Sequence, residues 1–229
     1  MAKIKLSAIV SEMRGKLNGS VFSKNRGGAY IRTKVTPVNP STIAQGAVRA
    51  ALTSISQAWR GLTEAQRLAW AGAVSAFTST DIFGDIKTPS GINLYNKLNL
   101  NLHAIGEASI STPPAVVSVG YVSALSLAAD ASANTIAATF TAEGASVDQT
   151  VIVEATPCLS AGKSFVKSEF RQIGTFAGNA TSPQAIGAMY VAKFGAMTAD
   201  KKIFVRLKFV DKNTGVSGQY TSASTIVVA

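Results

Sequence analysis

The chain has 229 residues, 47% of them apolar and 15% charged, enough for two core-bearing units and too apolar for general disorder. A single cysteine, Cys158, and a single histidine, His103, exclude an intrachain disulfide and a Cys/His zinc site with the usual ligand count. The net charge of +10 sits mostly at one end: residues 1–60 hold ten Lys and Arg against Glu12 alone, whereas residues 61–112 sum to −1 and residues 113–229 to +2. That split points to an anionic partner for the first quarter of the chain: nucleic acid, an acidic protein surface or an anionic membrane.

In the opening MAKIKLSAIVSEMRGK, Ser7, Ser11 and Glu12 break the apolar run before it reaches the length of a signal segment. No segment approaches the ~20 apolar residues of a membrane helix, so the expectation is a soluble, unexported protein with no membrane partner. Two short runs, Gly19 to Ser23 and Ala29 to Val35, flank Lys24-Asn25-Arg26-Gly27-Gly28, whose glycines supply the positive φ of a hairpin turn. Alternation places Tyr30, Arg32 and Lys34 on one face and Ile31 and Val35 on the other. Pro37 and Pro40 then end the pairing.

From Ser41, Ala44, Val48, Ala51, Leu52, Ile55 and Trp59 recur at helical steps, with Gly61 where a left-handed cap would fall. Thr63 with Gln66 reads as a capping box opening a second helix, with Leu68, Trp70, Ala73, Val74 and Phe77 as its buried positions. Together they form an αα-hairpin in which Trp59 and Trp70 are expected to be mutual core anchors. A third helix is predicted from about Ser90 to Gly106, through Leu94, Tyr95, Leu98 and Leu102.

Beyond Thr112-Pro113-Pro114 the pattern changes to short apolar runs at Val116–Val119, Leu125–Ala128, Thr135–Phe140, Val151–Ala155, Phe170–Phe176, Ile203–Val210 and Thr225–Val228. Seven such strands predict a sandwich. A short helix, opened by Ser182-Pro183-Gln184 and closed at Gly195, interrupts them. The last hairpin, with Phe204, Leu207 and Phe209, a turn at Asp211 to Gly215 and a strand ending at Val228, resembles the closing strands of fibronectin type III and related immunoglobulin-like domains; the signature Trp of that class is missing from the module.

Catalytic motifs fail one by one. In Ser160-Ala161-Gly162-Lys163-Ser164 the first glycine of a P-loop is replaced by Pro157, which has no N–H to offer a phosphate, leaving a turn with a surface lysine. His103 lies near a helix end without acid or thiol partners at ligand spacing. Asp81 and Asp85 flank Gly84 and supply too few oxygens for calcium, so an Asx turn is expected. As a DNA reader the second helix would present only Arg67 as a cation and would set Glu64 near the phosphates. No enzymatic cluster and no cofactor or metal site is expected.

The basic arm therefore carries the functional expectation. Arg14, Lys16, Lys24, Arg26, Arg32 and Lys34, interleaved with Phe22 and Tyr30, could hold nucleic acid nonspecifically or could pair with an acidic protein surface while Phe22 and Ile31 anchor.

The string GKLNGSVFSKNRGGAYIRTKVTPVNPSTIAQ, from Gly15, followed by QAWRGLTEAQRLAW, carries Asn39-Pro40, Gln45, Arg49, Trp59, Leu62, Thr63, Gln66, Arg67 and Trp70, with Arg60 and Gly61 between. Over about a third of the chain this resembles a family of virion structural proteins of tailed bacteriophages, including phages of Bacteroidetes hosts. The resemblance implies a particle component, commonly with a sandwich at its C-terminal side and no enzymatic site. The expected fold is α+β: a basic arm with a β-hairpin (residues 1–40), a helical docking block (41–112) and an immunoglobulin-like β-sandwich with an inserted helix (113–229). The expected role is a capsid decoration or head-fibre protein docking on an acidic capsid or neck surface as a trimer or ring, with neck or tail placement and nucleic-acid binding as alternatives.

Overall fold

The computed structural model describes residues 2–7, 9–25 and 27–229. β1 (Ala2–Lys3), β2 (Gly15–Leu17), β3 (Ser20–Asn25) and β4 (Gly28–Thr33) form an antiparallel sheet in the order β1-β4-β3-β2. The predicted hairpin is its central pair, turned at Asn25↔Gly28, where Gly28 takes the φ of 102° that a side chain would resist. The two outer strands are too short and too polar to show a period. Register puts Lys16, Val21 and Arg32 in one cross-strand row and Ser23, Tyr30 and Lys3 in the next row of that face, while Phe22, Ile31 and Ala2 line the opposite face.

Helix α1 (Ile43–Gly61) starts at Thr42, whose side chain accepts from the Gln45 amide. It does not end in the expected left-handed glycine: Gly61 is still helical, and extended Leu62 closes the helix. Helix α2 (Glu64–Ala73) has the predicted capping box, with the Gln66 amide donating to Thr63 Oγ1 and the Thr63 amide donating to Gln66 Oε1. A single 3-10 turn (Val74–Phe77) and a small ladder of β5 (Ser79–Thr80) with β6 (Ile86–Lys87) lead to α3 (Gly91–Ile105). This helix is capped as expected, by Ser90 and by Gly106 at φ 82°.

Ile55, Leu62, Trp70, Leu94, Tyr95 and Leu98 form the core of the block. Trp59 and Trp70 both pack on Tyr95, at ring-centroid distances of 5.2 and 5.3 Å, so α3 supplies the ring through which the expected Trp–Trp anchor is made. Leu68, expected inside, is exposed, and so are Ala44, Val48 and Leu52.

The C-terminal part contains β7 (Tyr121–Asp130), β8 (Thr135–Glu143), β9 (Gln149–Ala155), β10 (Leu159–Ser160), β11 (Arg171–Ala177), β12 (Gln184–Ala185), α4 (Gly187–Phe194), β13 (Lys201–Asp211) and β14 (Thr221–Ile226). Strand β13 pairs with β9, β10 and β14, and β9 pairs onward with β11; a second antiparallel sheet has the order β12-β8-β7. Alternate residues of both sheets meet in one core: Val122, Ile136, Ala138 and Phe140 from the smaller, and Val151, Val153, Ile203, Val205, Leu207 and Phe209 from the larger, with Tyr190 of α4 between. Several details differ from expectation. Val116–Val119 forms no strand, the last strand runs Thr221–Ile226 with Val228 making only a bridge to Asp130, β10 was not expected, and Gln184 belongs to β12, paired with Ala138, so the inserted helix starts later, at Gly187.

The helical block touches this part at the predicted Asp211–Gly215 turn. Asp211 Oδ1 accepts from the amides of Asn213 and Thr214 and from the Thr214 hydroxyl, which folds the loop so that Gly215 adopts φ 70° against the Leu98 carbonyl. Asn101 Nδ2 donates to the Gly215 carbonyl at 2.8 Å, Val216 packs on the block's core, and Gln172 Nε2 donates to Ala104 O at 2.9 Å.

Candidate docking surface

The described residues of the arm sheet are all exposed or half-buried, and the sheet contributes nothing to either hydrophobic core. What fixes it to the block is electrostatic. Lys3 Nζ pairs with Asp81 Oδ2 at 2.7 Å and donates to Gly27 O, while Lys5 Nζ lies 3.0 Å from Asp85 Oδ2 and over the ring of Phe83. Asp81 Oδ1 also accepts from the amides of Phe83 and Asp85, the expected Asx turn. The hydrogen bond from Lys3, aided by those amides and opposed by burial, holds the Asp81 carboxyl down at about 2, against an ordinary 3.8. Sequence reading assigned Asp81 and Asp85 a local turn and missed their second role, since nothing in the spacing links them to Lys3 and Lys5.

Between the arm's turn and the block lies a cleft of about 890 Å³, lined by Lys3, Asp81, Asp85, Lys87, Lys97 and Leu94 among others. Both signs of charge face it.

The predicted docking residues divide between the sheet's faces. Lys16, Tyr30 and Arg32 share one face, and Phe22 with Lys24 shares the other. Lys34 follows β4, with its amide donating to Gly19 O. Arg14 is engaged by Glu12 at 2.8 Å, and Glu12 also lies 3.9 Å from Lys24 Nζ. Arg26 lies outside the described residues. The expected ribbon with one basic face thus keeps Lys16, Arg32 and Lys3 together, while Lys24 joins the face of Phe22 and Ile31.

The spaced motif shared by the two helices works as fold hardware. The Arg67 guanidinium donates to Leu62 O at 2.7 Å and to Arg60 O at 3.3 Å, satisfying carbonyls at the end of α1. Arg49 donates to Asn39 Oδ1 at 2.9 Å, tying the extended segment to the first turns of α1. Trp70 is fully buried and its Nε1 donates to Ser111 O, so both Trp59 and Trp70 are structural.

Among the described residues no group of three or more His, Cys, Asp or Glu gathers as a metal site, and no helix is long and apolar enough to cross a membrane. Lys163 pairs with Glu169 at 2.7 Å on a turn after β10. Comparison with family models, curated proteins and solved structures finds no match.

Proposed function

We propose that this chain is a structural component of a bacteriophage particle, a capsid decoration or head-fibre protein, which docks through its basic arm and helical block and projects its C-terminal part as an immunoglobulin-like sandwich. The observation that carries this reading is a four-stranded sheet with four cationic side chains, no acidic one and no buried one, set in the most basic quarter of the chain. Such a sheet is poorly stabilised alone and becomes intelligible as a surface completed by an acidic partner. The sandwich assignment is supported by two antiparallel sheets around one core and by the closing β13–β14 hairpin; the inserted α4 and the absent Trp are departures from that class.

The test is the copy number of the chain in purified particles, measured by quantitative mass spectrometry against the major capsid protein. Hundreds of copies are expected for shell decoration, one or two dozen for a neck or tail ring. Deleting residues 1–40 should abolish occupancy, and absence of the chain from particles would overturn the proposal.

A second reading, nonspecific nucleic-acid binding, is favoured by the shared face of Lys16, Tyr30 and Arg32. It requires affinity falling between about 50 and 200 mM salt with a log–log slope of about 3, if Lys16, Arg32 and Lys34 each meet a phosphate.

A further inference from the structure

In the cleft between the arm's turn and the helical block the charges of the two units do not cancel. Residues 61–112 hold three cationic side chains, Arg67, Lys87 and Lys97, against four acids. Arg67 is engaged by carbonyls at the end of α1, and the other two both line the cleft. Asp81 and Asp85 line it as well, but their carboxylates are taken by the arm, through Lys3 at 2.7 Å and Lys5 at 3.0 Å. Among the described residues no carboxylate lies within ion-pair distance of Lys87 or Lys97. A unit whose own charges sum to −1 thus lines one space with two unpaired lysines.

Both lysines are placed by the fold. Lys87, in β6, runs along the arm's turn so closely that a Cβ on Gly27 would lie 2.7 Å from its Cε and 3.3 Å from its Nζ. On α3 and its cap, Ser90, Asn93, Leu94 and Lys97 follow at three- and four-residue steps, so one face of that helix forms the opposite wall. One cation stands on the arm side and the other on the helix side.

Size and lining select the occupant. The volume of about 890 Å³ is near the top of the roughly 300–1,000 Å³ range of ligand clefts, more than a lone phosphate or carboxylate fills. Apolar Phe77, Pro89 and Leu94 share the lining with the side-chain amides of Asn25 and Asn93, which suits side chains and backbone groups as well as charges. A nucleic-acid strand carries an anion at every nucleotide and would meet Asp81 and Asp85 here. A peptide can set its carboxylates only where the lysines stand, so charge complementarity favours a polypeptide with spaced acidic residues.

We infer that the cleft between the arm and the helical block receives an extended acidic peptide segment of the docking partner, whose carboxylates pair with Lys87 and Lys97 while an apolar side chain lies against Leu94 and Phe77. The inference rests on the docking reading above for the source of that segment. Because Lys87 abuts the arm and Lys97 belongs to α3, the bound segment also braces the arm on the block.

The experiment is a nuclear magnetic resonance titration of the isotope-labelled full chain, at about 0.1 M salt, with a capped peptide carrying two glutamates on either side of a phenylalanine. Amide shifts are expected at Gly28, Lys87, Asn93 and Lys97, and none with the glutamine counterpart of the peptide. Lys87→Gln and Lys97→Gln should each weaken binding about two- to five-fold, as loss of an exposed ion pair does, and their effects should multiply in the double variant. Both side chains are exposed, so these variants keep the fold. Lys201→Gln, at an exposed lysine of β13, should leave the affinity unchanged. Absence of shifts at the cleft, equal shifts with citrate or with an oligothymidylate, or undiminished affinity in the double variant overturns the inference. Shifts confined to the strands of Lys16 and Arg32 also overturn it, while leaving the arm as the docking surface, and the copy number in particles decides the particle role separately.

Discussion

The sheet built around β13 and the sheet of the arm are both antiparallel, yet β9 is buried at nearly every position, whereas β1 to β4 bury no described side chain. The difference follows from what lies across each face. In the C-terminal part a second sheet and α4 cover the inner face, so alternate Val, Ile and Phe residues leave water and contribute about 25 cal/mol per Å² of apolar area. Among the described residues the arm adds no side chain to either core. Its charged side chains keep it soluble, and two ion pairs to the block hold it in place. One sheet rests on a shared core, and the other on its own ladder and two ion pairs.

Equal truncations in the two sheets would break this comparison most directly. Phe209→Ala, at a side chain with no exposure, should cost about 3–5 kcal/mol in denaturant unfolding. Phe22→Ala, in the arm, should cost about 1 kcal/mol or less, and similar losses at both sites would contradict the picture of a coreless arm.

Gly215→Ala sharpens the comparison at the joint. A φ of 70° disfavours any side chain by about 1–2 kcal/mol, and a Cβ would also run into the Leu98 carbonyl. A loss of about 2–3 kcal/mol is expected, with the tryptophan fluorescence of the block melting before the sheets. A single unchanged transition would mean the turn yields freely.

The smallest effect on global stability, and the most local, belongs to Asp81→Asn. Removing the anion that Lys3 holds should leave the melting temperature almost unchanged but speed tryptic cleavage within the arm. The pH dependence has a defined sign. Because the folded carboxyl lies at about 2 and the unfolded one at 3.8, the attachment is complete above about 3.8 and is lost as pH falls through about 2. Cleavage by an acid protease should rise over that window in the wild-type chain and be insensitive to it in D81N.

Local signals in the sequence located most of this architecture. Thr63 with Gln66, Ser90, Gly106 and the Asp211 turn are short-range devices whose chemistry is complete within a few residues, and each stands where the spacing puts it. The strands of the C-terminal part were legible because a shared core imposes period two. What escaped depends on distant partners. β1 pairs with β4 while its Lys3 reaches Asp81, and Trp59 meets Trp70 through Tyr95. Exposed Leu68 and Val48 could not be told from core, because a helical stripe says which residues face one way and not whether anything waits there. The arm's charge was plain from composition, but its division between two faces needed the register.

Glu154, near the end of β9, has two settings when the chain is followed in time. In the folded molecule it accepts from Tyr220 and pairs with Arg206, whose guanidinium is stacked between Phe170 and Tyr220 at about 4 Å from each ring. Both Arg206 and Tyr220 come later in the chain than β9, so during synthesis the stretch Gln149–Ala155 waits for them with Glu154 as its only charge. A strand of that composition is a template for pairing between chains, and a carboxylate near its end, with Asp148 just before its start, is the kind of group that keeps such templates apart. The same carboxylate that later fastens a surface cluster thus guards the strand while it is alone, and Glu154→Gln should lower refolding yield more steeply with protein concentration than it lowers stability.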